Sequence, residues 1–309
     1  MSENVKTNSF RAWLLAARPK TLTAAAVPVM IGVAATIVEA QYSSGVKTLP
    51  LCSWLPALLC FLFAFVMQID ANFVNDYYDC LKGRDDESRL GPQRACQQGW
   101  VTMQTMQKAI AITSSAACIV GLPLIYYGGW QLIGIGVLCL VFCFLYTTLL
   151  AGKGMGDVLV LLFFGLIPCY FTYYVTMPEA LQGFDNTRVW MLSLATGLVV
   201  DTLLIVNNYR DIENDRAAGK VTLVVLIGRK ATELLYLLIV PVAQVLVLLS
   251  GDINMTGLLL MLLMLAFHLS TWRTMVRIGS GKALNRVLGM TARNIFIYGI
   301  LTSLLVIMS

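Results

Sequence analysis

The sequence predicts an all-α, polytopic membrane protein with about nine spanning helices. Three observations predict it. Of 309 residues, 58% are hydrophobic and only 13% charged, and the mean hydropathy is +0.75; a soluble domain carries about 25% charged residues. The apolar residues gather into runs of roughly 20, the length that crosses a hydrocarbon core. When the runs are threaded in alternation, twenty Lys and Arg fall on one side and only Lys47 and Arg188 on the other. The basic side of a membrane protein faces the cytoplasm. The expected arrangement is therefore N-terminus cytoplasmic and C-terminus outside.

The spans follow in order. The first, 21–40, opens after Arg18-Pro19-Lys20, and the second, 52–74, closes on Asn72-Phe-Val-Asn75-Asp76-Tyr-Tyr-Asp79. A polar loop over 76–104 leads to the third, 105–127. The fourth and fifth, 130–150 and 156–176, are separated by a short loop that holds Lys153. The sixth, 188–207, closes on Asn207-Asn-Tyr-Arg210-Asp211-Ile-Glu213-Asn-Asp215. After a polar loop over 208–230 come the last three, 231–250, 255–273 and 291–308. No linker is long enough to divide the chain, so one integral-membrane domain is expected over 1–309. The stretch Met1 to Ala17 is polar and basic with no small-residue cleavage site, so no removable signal is expected.

The net charge of +5 requires no nucleic-acid partner. Basic loops suit membrane lipid headgroups or an anionic substrate. The eight cysteines include no CxxC pair and mostly fall in apolar runs, where they read as small buried hydrophobes. The single histidine, His268, cannot build a zinc site and reads as packed or hydrogen-bonded between helices.

The two acidic segments carry the chemistry. Carboxylates beside a bilayer are costly unless neutralised. Asn207, Asp211 and Asp215 recur at i, i+4 and i+8, which puts three oxygen ligands on one helix face. Arg210 and Glu213 fall elsewhere on the helix. In the first segment Asn72 and Asp76 are four apart, Asp76 and Asp79 three apart, and Asn75 lies one turn from Asp79. Oxygen-only ligands favour Mg²⁺, which keeps waters and takes substrate phosphates to complete its octahedron. A pair of such ions would hold a diphosphate. Asp85, Asp86 and Glu87 follow in a loop, where they read as a solvated charge run, with Asp85 in reach of a metal. Lys82, Arg84, Lys153 and Lys220 are interleaved with the acids, and cations there would steady phosphate oxygens. The positive-inside rule alone would also place them there.

The strings Arg18-Pro-Lys-Thr-Leu, NFVNDYYDCLKGRDD (72–86), RLGPQRACQQGWVT (89–102) and NNYRDIENDRAAGKVTL (207–223) resemble those of the UbiA-type intramembrane aromatic prenyltransferases. Within that family the resemblance is to the branch acting on 1,4-dihydroxy-2-naphthoate, on the GPxRxxQxG stretch from Gly91 to Gly99. The third aspartate of the family's first motif falls at Gly83, and Asp85 is the candidate substitute. The loop 146–157 is short and lacks the family's proline-rich string, and Asp201 lies inside the sixth run without a family role.

The resemblance implies helices around a central cavity. It implies an all-trans polyprenyl diphosphate with its head at the motifs and its tail in an apolar tunnel. Asn75, Asp76 and Asp79 would hold one Mg²⁺ and Asn207, Asp211 and Asp215 the other, with Asn72 assisting. Tyr146 would stabilise an allylic cation through its ring face. The naphthoate ring would then attack at its carboxylate-bearing carbon and lose CO₂, giving demethylmenaquinol. Arg18 or Lys20 would orient the acceptor's carboxylate. Acceptors such as 4-hydroxybenzoate or homogentisate remain open, as does a cation-coupled transporter, although its acids would sit near the midplane.

Overall fold

A computed structural model of the chain describes residues 5–44, 51–83, 89–150, 152–251 and 253–309, without the side chains of 42–44 and 51–53. Lys47, Arg84 and Asp85 lie outside the described residues. The described chain is all helical apart from one pairing of the Lys153 and Val221 main chains. Among the described residues, eight helices are long and apolar enough to cross a membrane.

A short helix α1 (Phe10–Ala17) is capped by Ser9, whose Oγ accepts from Ala12 N. It stops at Arg18, in left-handed backbone at φ 51°, and Pro19 restarts the chain as α2 (Pro19–Ser44). Proline suits that first position because it has no N–H to leave unpaired. Helix α3 (Leu51–Leu81) runs past the expected end at 74 and carries the whole first motif on its last turns. A helix need not stop where its apolar stretch stops, because every main-chain group inside it is already paired.

The third expected span is two helices, α4 (Met103–Gly121) and α5 (Leu124–Gly128), interrupted at Leu122-Pro123. Helix α4 carries Gln104, Gln107 and Lys108 and is not among the eight apolar spans. Helix α6 (Gln131–Leu145) ends in a widened turn, Tyr146–Leu150, and a second such turn, Leu162–Leu166, joins α7 (Gly156–Leu161) to α8 (Ile167–Thr176). Widened turns of this kind often mark functional positions. Helix α9 (Thr187–Ala217) again outruns its expected end and carries the entire second motif. Helix α10 (Leu223–Leu249) starts eight residues early, with a turn of helix before Gly228 breaks it at φ 77°. Helices α11 (Met255–Ile278) and α12 (Leu284–Met308) complete the bundle.

Helices α2 and α9 are the inner pair. Helices α8, α10 and α12 pack around them, α11 lies against α10 and α12, and α3 with α4 and α6 closes the other flank. Lipid offers helices no hydrophobic reason to associate, so close approach at small residues must hold them. A Cβ on Gly32 would stand 2.5 Å from Cys169 O, one on Gly165 2.5 Å from Gly197 Cα, and one on Gly299 2.6 Å from Val27. These contacts set α2 on α8, the Leu162–Leu166 turn on α9, and α12 on α2. The outward faces are apolar, with Ile119, Trp130, Leu234 and Leu262 exposed. His268 Nε2 donates to Tyr236 O, 2.7 Å away, and its ring stacks on the Tyr236 ring, which is the packed role expected of it.

Candidate active site

Both motifs open onto one cavity of about 1240 Å³. From α3 come Asn75 and Asp79; from α9 come Asn207, Asp211 and Asp215. Each set has four-residue spacing, so each lies on one helix face. Arg18, Lys20, Arg89, Arg94 and Lys220 line the same end. Away from the motifs the wall turns apolar, with Phe63, Leu132, Leu140, Phe163 and Val175. The cavity thus has a charged mouth and a hydrocarbon-like interior.

Three carboxylates each meet one base. Asp79 accepts from Arg94 Nη2 at 2.8 Å and Asp215 from Lys220 Nζ at 3.1 Å. Arg210 grips Asp211 with Nε at 2.8 Å and Nη2 at 2.5 Å, and also reaches Asn207 Oδ1 and Asn285 Oδ1, each at 2.8 Å. Spacing alone puts Arg210 off the ligand face, and here the structure corrects that expectation. Its Cβ does leave on another face, but the long side chain folds back and its planar fork matches a carboxylate and two amides together. Glu213 does lie away from the cavity, exposed beside Arg216 and Arg229.

Asn72 and Asp76 are not brought to the cavity. Asn72 donates to Ala17 O and Thr21 Oγ1, both at 2.9 Å, and so pins the α1–α2 junction. Asp76 is 1% exposed, and its two oxygens accept from the main-chain N–H groups of Ala95 and Cys96 at 2.9 and 3.0 Å. It acts on the loop. Burial, then the Asp76 charge, push the neighbouring Cys96 thiol up, so it stays protonated.

That loop, the GPxRxxQxG stretch, joins the two motifs. Asp76 fixes Ala95 and Cys96, which delivers Arg94 to Asp79. At its other end Asn285 donates to Leu90 O at 2.8 Å, and a Cβ on Gly91 would meet Arg210 Nη2 at 2.8 Å. Arg94, Arg210 and Asn285 were not readable as site residues, because a loop path and a folded-back side chain leave no spacing signal.

The remaining expected residues divide. Lys82 donates to Thr148 O at 2.8 Å and ties α3 to the widened turn, outside the cavity. Lys153 is exposed, and its segment serves through its main chain: Gly152 O accepts from Val221 N at 2.9 Å, which holds the Lys220 turn in place. Tyr146 lines the cavity, and its neighbour Thr147 donates to Asn75. Arg18 lies within electrostatic reach of Arg94, Arg89, Asp76 and Asp79. Burial first, then Arg94, push it down to about 9, so an anion arriving between these guanidiniums relieves their repulsion.

The donor set fits Mg²⁺. Five amide and carboxylate side chains line the same cavity with no imidazole among them, a hard-cation chemistry. Among the described residues no group of three or more His, Cys, Asp or Glu encloses a metal by itself. Two open half-sites suit an ion that completes its shell with water and substrate phosphate.

The sequence profile described as the UbiA prenyltransferase family matches residues 25–300. The chain is 32% identical, over 71% of its length and 69% of the relative's, to a 1,4-dihydroxy-2-naphthoate octaprenyltransferase of Escherichia coli (strain K12). Among solved structures, the apo UbiA homolog of Aeropyrum pernix K1 superposes with a TM-score of 0.67 at 17% identity, covering 93% of this chain and 98% of that one. A UbiA homolog of Archaeoglobus fulgidus bound to DMAPP and Mg²⁺ superposes with a TM-score of 0.60 at 14% identity, covering 94% and 98%.

Proposed function

Because this chain belongs to the UbiA prenyltransferase family, we propose that it is a Mg²⁺-dependent aromatic prenyltransferase acting on 1,4-dihydroxy-2-naphthoate. It moves an all-trans polyprenyl group from polyprenyl diphosphate to the ring, with loss of CO₂, and yields demethylmenaquinol. The observation that carries this reading is the single cavity, charged at the two motifs and apolar beyond them. One end suits a diphosphate and the other a polyprenyl tail. The E. coli relative's named acceptor supports the naphthoate.

Asn75 and Asp79 would hold one Mg²⁺, and Asn207, Asp211 and Asp215 a second. When bound, the metal supplies charge stabilisation for the departing diphosphate. Arg94, Arg210 and Lys220 hold the carboxylates in place, and Arg89 adds positive charge at the mouth. Arg89, Arg94 and Lys220 line the cavity and would face the oxygens on which negative charge grows as the C1–O bond breaks. Tyr146 offers its ring face to the allylic cation, and the apolar wall keeps water from it. Arg18 and Lys20 take the acceptor's carboxylate. The basic loops at the motif end support a mouth that opens to the cytoplasm, with the chain in a bacterial inner membrane.

The test incubates purified protein, Mg²⁺ and labelled polyprenyl diphosphate with 1,4-dihydroxy-2-naphthoate, 4-hydroxybenzoate or homogentisate. Mass of the lipid product identifies the acceptor. A prenylated, decarboxylated naphthoquinol is expected, and EDTA should stop its formation. Full activity in folded Asp79→Ala or Asp211→Ala would sink the reading.

A further inference from the structure

Two buried carboxylates have no part in the mechanism so far. Asp157, on the first turn of α7, is 8% exposed and lines the cavity. Asp201, in α9, is 4% exposed. One oxygen of each is buried with no hydrogen-bond partner. Among the described residues neither forms an ion pair with Lys or Arg. Another buried acid of the bundle, Asp70, shows what a structural solution looks like: Thr113 and Ser114 donate to its two oxygens. Asp76 shows a second, held by two main-chain N–H groups, and Asp79, Asp211 and Asp215 a third, each on an Arg or Lys.

Helix packing brings the two together. An added Cβ on Gly197 would stand 3.0 Å from Leu161 O, so α7 and α9 touch there. The helices run antiparallel, so one turn back from Leu161 is Asp157 and one turn on from Gly197 is Asp201. Their charges lie within reach of each other. Neither carboxylate has a base to balance it, so two negative charges within reach of each other repel. Asp201 precedes Asn207 by six residues, which is about 9 Å along the helix. The pair therefore lies just inside the diphosphate end. Tyr146 adjoins it: a Cβ on Gly156 would be 3.9 Å from the phenol oxygen. Tyr146 lies within electrostatic reach of both acids and of Asp79 of α3 and Arg94 of the loop.

We propose that Asp157 takes the proton of the acceptor's ring hydroxyl as the new bond forms, with Asp201 as its positioning partner. This rests on the aromatic-acceptor reading above. The C1–O bond breaks and its electron pair leaves with the diphosphate. A ring π pair forms the C–C bond at the carboxylate-bearing carbon, and the adjacent hydroxyl becomes a carbonyl as its proton passes to Asp157. The bond to CO₂ then breaks, its electron pair returns to the ring, and the resulting enolate takes the proton back from Asp157. No net proton is gained or lost.

The test uses the full chain with Mg²⁺, polyprenyl diphosphate and acceptor. Asp157→Asn should lower kcat by about 100-fold or more near neutral pH, with KM for polyprenyl diphosphate changed less than about threefold. Its kcat/KM should climb with pH as the acceptor ionises in solution, whereas Asp157→Glu should retain activity. Asp201→Asn should lose less activity and shift the pH profile. A kcat within threefold of wild type in Asp157→Asn, or a loss that does not depend on pH, overturns the proposal. If Asp157→Asn does not fold, Asp201→Asn decides, and an unshifted profile there overturns it. A wild type that prenylates no phenolic acceptor fails the function reading instead, so the two failures are distinct.

Discussion

Arg210 is the residue on which the second motif depends. It is fully buried and makes hydrogen bonds to Asp211, Asn207 and Asn285 from one planar group. Removing one partner of a buried pair costs about 3–5 kcal/mol, because it strands the other charge. Lysine keeps the charge but offers a point, not a fork. Arg210→Lys should therefore lower prenyl transfer by about 100-fold and lower the apparent Tm in detergent; wild-type values for both would contradict this role. The four-residue spacing made Asn207, Asp211 and Asp215 legible as one face, and likewise Asn75 with Asp79. It did not separate Asp79 from Asp76, because a residue three positions away also counts as a neighbour on a helix. Only the path of the 89–101 loop shows that Asp76 holds Ala95 and Cys96 and leaves Asp79 for the cavity.

At the scale of elements, the extra turns of α3 and α9 lift both motifs beyond the apolar runs while keeping them helical and in register. The helices are held by glycine contacts. Gly165 meets Gly197 so closely that one methyl group has no room. Overpacking a fitted contact costs about 1–3 kcal/mol. Gly165→Ala should lower the apparent Tm by several degrees and, by moving α7 against α9, reduce transfer as well. A melt and an assay on one preparation check this, and an unchanged melt would show that the contact relaxes freely. Hydropathy located these helices, but their long polar ends carried no apolar signal, so the expected boundaries fell short.

For the whole molecule, whether α4 and α5 cross the membrane decides the topology. Eight helices satisfy length and apolarity, and the ninth expected crossing is the interrupted, more polar pair over residues 103–128. With the N-terminus in the cytoplasm, nine crossings put Ser309 outside and eight put it inside. The 20-to-2 division of basic residues holds only for nine. Alkaline phosphatase fused after Ser309 should be active and green fluorescent protein there dark. The reverse pattern would remove the α4–α5 crossing.

By itself the sequence determined that this chain lies in a membrane, that it is helical, and that Asn and Asp side chains at helical spacing end two of its spans. Those properties are local: composition sets the solvent a segment can tolerate, and a period of 3.6 residues sets which side chains share a face. Only the tertiary structure decided which acids meet. It turned Asp76 and Asn72 to structural duties, brought Arg94 and Arg210 onto Asp79 and Asp211, and set Asp157 opposite Asp201. The reason is physical. A buried charge takes whatever partner the packing delivers, and packing between helices distant in sequence is written in contacts such as Gly165 on Gly197, not in any one segment.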